Sequence, residues 1–288
     1  MYLAEKYGKR ITEATAERNE REKMAAISVK TYTHTVHKPG IAAGQITLAF
    51  LSDFHNGHKQ VETEVLASLR VLSPDLVVIG GDMLVGKPDV SFAPALSLVS
   101  QVAQRYRTIY AYGNHEYRMC IYPEMYKGEG EAYQKALEKL PLTLLRNSRT
   151  VTEHNGMAVC FTGLEIPAVN YKKWHKVPFS QDMMEHLVGH PGKEMVNVLL
   201  AHNPLYVDTY FDWGADLTLA GHMHGGIVRL FGRPVIGTDG RLFPSYGYGR
   251  INRGEQTMLV SAGLGEHTIP LRLFNPRELV IVQLENRP

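Results

Sequence analysis

Cysteine is scarce in this chain: Cys120 and Cys160 are the two in 288 residues, too few for the disulfide framework of a small secreted scaffold. Cys160 lies inside the apolar run MAVCFTGL and is expected to be a core thiol. Long hydrophobic runs are also missing, and nothing approaches the roughly 18 consecutive apolar residues of a membrane-spanning helix. The N-terminal stretch MYLAEKYGKRITEATAERNEREKM is too polar for a secretory signal. Leu3, Tyr7, Ile11 and Ala14 recur there at spacings of three and four, which predicts a helical leader or extension over 1–26. An excess of one charge is lacking as well: net charge is +2, which excludes bulk electrostatic capture of nucleic acid. These absences lead to the expectation of a cytoplasmic protein; if it meets a membrane, it does so peripherally, at the inner face.

What is present is ordinary globular composition, 44% hydrophobic and 21% charged, enough for a sizeable core. With no internal repeat and no low-complexity linker, residues 27–288 are expected to form a single domain. ISVKTYTHTV (27–36) alternates like a half-buried strand, whereas ITLAFLS (46–52) and LVVIGG (76–81) are continuous apolar runs of the fully buried kind. Helical patterns at 61–73 and 91–106 separate them, and TIYAY (108–112) follows as another strand. The second half is richer in strands: a hairpin over 150–164 turning at Asn155-Gly156, then MVNVLLAH, DLTLAGH, TMLVSAGL and ELVIVQL. The pattern predicts an α/β protein with two packed sheets and outer helices.

Nearly every apolar strand ends in a polar cluster: Asp53 and His55 in SDFH, Asp82 in GGDM, Asn114 in GNHE, His202 in AHN, and His222 and His224 in GHMH. Singly, each residue reads as a turn former, a cap or a hydrogen-bonded histidine. Together they place carboxylate, imidazole and amide donors at one edge of the strands, where open α/β sheets carry their chemistry. Asp53-x-His55 and His222-x-His224 add a spacing that, in extended backbone, aims both side chains the same way. With no thiolate among them, the donors suit Mn, Fe, Zn or Co. Seven donors exceed the need of one tetrahedral ion and match two ions roughly 3.5–4 Å apart.

In order along the chain, Asp53-x-His55, Gly81-Asp82, Gly113-Asn114-His115-Glu116, His202 and Gly221-His222-x-His224 resemble the motif set of the calcineurin-like metallophosphoesterases. The resemblance runs from about residue 46 to the C-terminus. It implies a four-layer αββα sandwich, two mixed β-sheets flanked by helices, around a dinuclear centre of divalent ions, Mn first, with Fe, Zn, Co or Ni as alternatives. It also implies a ligand set: Asp53, His55 and His224 for one metal, Asn114, His202 and His222 for the other, and Asp82 as the bridge. His115 matches the histidine that contacts phosphate and serves as acid to the leaving oxygen. Glu116, where many relatives have Asp, is expected to orient His115. The implied reaction is phosphoester hydrolysis by in-line attack of a metal-bridging hydroxide, on a phosphodiester, pyrophosphate or phosphomonoester.

After Asp82 the chain reads Met83-Leu84-Val85-Gly86-Lys87, without the arginine of the protein-phosphatase branch. Ser52 to Gly57, Gly221 to Gly226 and Gly263 to Gly265 look closer to a bacterial branch of membrane-peripheral phosphohydrolases, including UDP-2,3-diacylglucosamine hydrolase-like and other lipid-linked phosphoesterases. Two segments bear on the substrate. NYKKWHKVPF (170–179) interleaves lysines with aromatics, the composition of a solvated loop with an anchoring tryptophan first, and of a contact with an anionic lipid surface or a lipid phosphate second. The stretch 228–254 follows the second histidine pair, so Arg241, Tyr246 and Arg250 are candidates for substrate binding, slightly ahead of the alternative that the stretch is a hairpin closing a sheet edge. The expected partner is a small-molecule or lipid phosphoester. A nucleotide or cyclic-nucleotide phosphodiesterase is the alternative. A non-catalytic scaffold, like the calcineurin-like subunit of retromer, is a different class, disfavoured because the full ligand set and His115 are present.

Overall fold

The computed structural model describes residues 27–171, 177–238, 240–266 and 271–288. The expected N-terminal helix and the Lys172–Lys176 part of the basic, aromatic segment lie outside these residues. Two six-stranded sheets dominate. The first has the order β1-β14-β2-β3-β4-β5, made of β1 (Ile27–Val36), β14 (Arg277–Asn286), β2 (Gly44–Leu51), β3 (Leu76–Ile79), β4 (Thr108–Ala111) and β5 (Thr143–Leu145). All its neighbours are parallel except β14 against β2. The second has the order β12-β13-β9-β8-β7-β6: β12 (Gly249–Arg253), β13 (Gln256–Val260), β9 (Leu217–Ala220), β8 (Val196–Ala201), β7 (Met157–Leu164) and β6 (Ser148–His154). Its central pairs are parallel and its two outer pairs antiparallel.

The apolar runs are continuous because both faces of each central strand are buried. Leu48 and Phe50 of β2 point between the sheets, where they join Val198 and Leu200 of β8 and Leu217 and Leu219 of β9. Ala49 and Leu51 point the other way, against α1 (Lys59–Leu72) and α2 (Ala93–Ala103). Leu199 and Ala201 of β8 face the outer layer of the second sheet, built on α5 (Gln181–Val188) and α6 (Val207–Trp213). Helix, sheet, sheet and helix therefore stack in four layers, the αββα sandwich expected of the sequence. Cys160 is buried in β7. The β6–β7 hairpin turns at Asn155-Gly156, both residues with φ positive, at 51° and 81°.

Four helices carry no legible periodicity in the sequence: α3 (Asn114–Ile121), α4 (Glu129–Leu137), α5 and α6. Each is seven to nine residues long, too short for a 3.6-residue pattern to repeat. Among the described residues no helix is long and apolar enough to cross a membrane. Residues 228–254 split into β10 (Val228–Leu230), β11 (Arg233–Ile236) and the sheet-edge strand β12.

The layering makes a mutational prediction. Phe161 on β7 is fully buried between the sheets, so Phe161→Ala should lower the unfolding free energy by about 3–5 kcal/mol. Val151, on the exposed face of β6, should tolerate Thr within about 0.5 kcal/mol. Urea denaturation followed by circular dichroism measures both.

Candidate metal centre

The polar residues at the strand ends do not continue the strands. β2 stops at Leu51 and β9 at Ala220, and the residues beyond them turn left-handed: φ is 53° at Asp53, 47° at His55, 52° at Asp82, 69° at His222 and 51° at His224. The extended backbone expected for the two paired motifs is thus absent, and the convergence of their side chains has another origin. Adjacent loops are pinned to each other: the N–H groups of Asp53, His55 and Asn56 donate to the carbonyls of Gly81, Asp82 and Met83 at 3.0, 3.1 and 2.9 Å. Left-handed backbone at non-glycine residues costs roughly 1–2 kcal/mol each and persists only where surroundings enforce it.

Glycines let the loops close up. A Cβ on Gly113 would stand 2.3 Å from Asp82 Oδ1, and one on Gly221 would stand 2.2 Å from Asp53 Oδ2. Each carboxylate also accepts a backbone N–H from another ligand loop. His115 N–H donates to Asp82 Oδ1 at 2.8 Å, and His222 N–H donates to Asp53 Oδ1 at 3.0 Å.

The side chains gather into overlapping groups. Asp53, His55 and His224 form one, with His224 Nε2 3.3 Å and His55 Nε2 3.9 Å from Asp53 Oδ1. Asp82, His202 and His222 form the second, with His202 Nε2 3.1 Å from Asp82 Oδ2. His55 and His115 also approach Asp82 Oδ2, at 3.9 and 3.7 Å, which leaves Asp82 between the two groups. His222 and His224, two residues apart, fall in different groups. Asn114 opens α3 directly after Gly113, beside Asp82.

Three observations fit divalent cations to these donors. Asn114 Oδ1 and His202 Nε2 are buried without a hydrogen-bond partner. His202 Nδ1 lies 2.8 Å from the Gly80 carbonyl, so it carries the proton and leaves the Nε2 lone pair facing inward. His55 and His224 point their Nε2 atoms at each other across 3.1 Å. Charge argues the same way, since two carboxylates buried among imidazoles call for a positive partner. Burial pulls His202 down, but Asp82 and Asp53 outweigh it and push the imidazole up to about 10, a demand for positive charge at Nε2 that a divalent cation would meet in place of a second proton. Burial raises Asp53, and the same effect lowers His55 to about 4. Asp82 is held well below the usual carboxylate range because His202 and His115 overcome its burial.

His115 and Glu116 have separate surroundings. The Gly86 N–H donates to His115 Nδ1 at 2.8 Å, so the neutral ring carries its proton on Nε2, toward Asp82. Arg118, one helical turn on, donates to the Gly86 carbonyl at 2.8 Å and holds that loop against the ring. Glu116 does not orient His115, contrary to the expectation from its position in the motif. Its oxygens accept from the N–H groups of Asp82, Met83 and Gly113 at 2.9, 2.8 and 3.1 Å and from the Tyr110 hydroxyl at 2.8 Å. Burial and then Asp82 push its carboxyl up to about 7. Glu116 is therefore a positioning residue for the Asp82 loop.

The three candidates from residues 228–254 land elsewhere or at the margin. Arg250 sits on edge strand β12, donates to the Thr33 carbonyl of β1 and lies 5.5 Å from the Tyr32 ring. It ties the edges of the two sheets together and is not a substrate group. Tyr246 packs against the core beneath α5 and α6, and Arg241 is exposed in the turn after β11. Arg272, Asn275 and Arg118 have no place in the sequence reading. Arg272, half-buried, donates to the Ala262 carbonyl at 2.9 Å and stands 3.4 Å from His224 Nδ1; desolvation, then Arg277, lowers it to about 10. Asn275 donates to the carbonyls of His224 and Gly226 at 2.7 and 2.6 Å. Neither stands in a local motif. Arg118 was findable: it is three residues after His115, on the same helix face once α3 is known.

Comparison with known proteins agrees with this geometry. YpbG of Bacillus subtilis is 24% identical over 89% of this chain and 87% of its own length. The metallophosphoesterase Cj0846 of Campylobacter jejuni is 27% identical over 84% of this chain, which spans about 60% of that longer protein. Phosphodiesterase YaeI of Escherichia coli is 26% identical over 84% of this chain and 83% of its own. The family model for calcineurin-like phosphoesterase matches residues 46–226, a stretch that holds every ligand residue described above. The chain belongs to the calcineurin-like phosphoesterase family and is a metal-dependent phosphoester hydrolase.

Proposed function

We propose that the substrate is a phosphodiester, with manganese the first choice among the divalent ions that these imidazole, carboxylate and amide donors suit. The reading rests on how the arginines nearest the centre are used. Arg118 gives its guanidinium to the Gly86 carbonyl, and Arg272 gives its own to the carbonyls of Ala262 and Gly265. Neither is turned to grip the second negative charge of a terminal phosphate, so the site suits the single charge of a diester. The similarity to Phosphodiesterase YaeI supports the same class. A lipid-linked phosphate is the narrower form of this reading.

Asp53, His55 and His224 on one side and Asn114, His202 and His222 on the other, with Asp82 between them, would hold divalent ions, which would supply positive charge to the phosphoryl oxygens and lower the pKa of water. The rest is the work of the chain. His115 keeps a proton on Nε2 because Gly86 occupies Nδ1, and donates it toward the phosphoryl and leaving oxygens. Arg118 fixes the Gly86 carbonyl and so the ring plane. Glu116 holds the backbone of Asp82, which sets where the shared carboxylate stands.

Turnover of an aryl phosphodiester and an aryl phosphomonoester by the manganese-loaded protein tests the reading. The diester should be preferred; a monoester preference would refute it. His115→Asn should lower kcat by about 10²–10⁴-fold while metal content, measured by plasma emission, stays intact. Asp82→Ala should lose activity and paired metal together, and full metal retention would remove Asp82 from its shared position. Glu116→Gln places an amide N–H among four donors; it should lower stability by about 1–3 kcal/mol and weaken metal binding, which His115→Asn does not do.

A further inference from the structure

Three phenylalanines stand out from the fold. Phe231, Phe243 and Phe274 are 103%, 71% and 76% exposed, and each has a left-handed backbone, with φ of 51°, 49° and 54°. A bulky residue at positive φ is an outlier, and here no packing of the ring offsets the strain. Phe231-Gly232 is the two-residue turn joining β10 to β11, with Leu230 paired to Arg233 and Gly232 at φ 77°. That turn geometry favours Asn-Gly, and the chain uses Asn155-Gly156 with matching φ values in the β6–β7 hairpin. At residue 231 a phenylalanine stands where local structure asks for asparagine.

The three rings share one small ribbon. Val228 bridges Leu273 in parallel, Ile236 bridges Leu242, and the Phe243 N–H donates to the Val235 carbonyl at 2.9 Å. Four adjacent segments at about 4.8 Å spacing make a strip roughly 15 Å across. Alternation along its edge is inverted relative to a normal surface strand: Leu271 and Leu273 are exposed, and the half-buried Arg272 turns inward to His224. Arg233 and Arg241 are exposed on the same ribbon. Between residues 229 and 243 the sequence has three arginines and one acidic residue, Asp239. The ribbon is fixed to the metal centre, since Asn275, next to Phe274, donates to the carbonyl of His224.

We infer that this ribbon docks the enzyme on an anionic lipid bilayer, with Phe231, Phe243 and Phe274 entering the interface, Arg233 and Arg241 meeting the headgroups, and the metal centre held beside the surface. Rings projecting singly from turns suit a fluid interface, and the cationic rim suits anionic lipid. The surface is distinct from the 170–179 segment that the sequence suggested, and it does not depend on the choice of diester substrate.

The test is co-sedimentation of the full chain with phosphatidylcholine vesicles, with and without phosphatidylglycerol. The wild type should bind the anionic vesicles, and Arg233→Glu should weaken binding by at least roughly fivefold. The triple variant Phe231→Asn, Phe243→Asn, Phe274→Asn should lose vesicle binding, keep aryl diester turnover, and melt at the same or a higher temperature, because asparagine tolerates the left-handed backbone. Absence of wild-type binding to anionic vesicles would overturn the inference, as would a triple variant that still binds. Sedimentation velocity covers the rival occupant: a dimer that the triple variant dissolves, without vesicle binding, would assign the ribbon to a second copy and overturn the lipid reading.

Discussion

Two buried carboxylates, Asp53 and Asp82, are the constraint around which the site end of the molecule is arranged. Each is fully enclosed, and each must be answered by hydrogen bonds and positive charge. Asp53 belongs to the first sheet yet accepts the N–H of His222, which follows β9 of the second. Asp82 follows β3 and accepts the N–H of His115, which lies on the helix after β4. The carboxylates therefore join loops from both sheets before any ion is considered. Gly113 and Gly221 follow from this: no side chain fits between those loops and the oxygens.

Much of this was legible in the sequence because burial on both faces makes the central strands uninterrupted apolar runs. Their ends are then marked by the first polar residues, Asp53, Asp82, His202 and His222. What the sequence concealed depends on geometry beyond the strand ends. The left-handed turns at Asp53, His55, His222 and His224 have no local signature, since aspartate and histidine also occupy ordinary turns. The partner of Glu116 was misread for a related reason. Motif adjacency suggested His115, but residue 116 is the third position of α3, from which a carboxylate reaches back to the Gly113 N–H at the helix start. Arg272 and Asn275 come to His224 from about fifty residues further along the chain, a separation that only the fold closes.

The length of Glu116 matters in this arrangement. Its two oxygens reach the N–H of Gly113 in its own helix and those of Asp82 and Met83 in the neighbouring loop, with the Tyr110 hydroxyl as a further donor. Such a carboxylate sets the distance between the loop that holds the shared ligand and the helix that presents Asn114 and His115. Its influence on chemistry passes through backbone position, while the protonation of His115 is governed by Gly86. One motif, GNHE, thus contains a metal donor, a proton donor and a spacer, each answering to a different neighbour.

Left-handed non-glycine backbone gathers at the metal centre and on the β10–β11 ribbon, as well as in scattered turns, and comparing the two clusters separates two uses of it. At the metal centre the left-handed residues are held by hydrogen bonds between adjacent loops, and their side chains converge on one another. A divalent cation adds to that support, so strain and binding are coupled within one site. On the β10–β11 ribbon the strained residues are phenylalanines whose rings face solvent. Nothing in the folded chain rewards placing an aromatic ring there, and asparagine or glycine would fit the turns better. Strain with an internal reward marks the catalytic edge. Strain without one points outward, to a surface whose reward comes from what the enzyme meets.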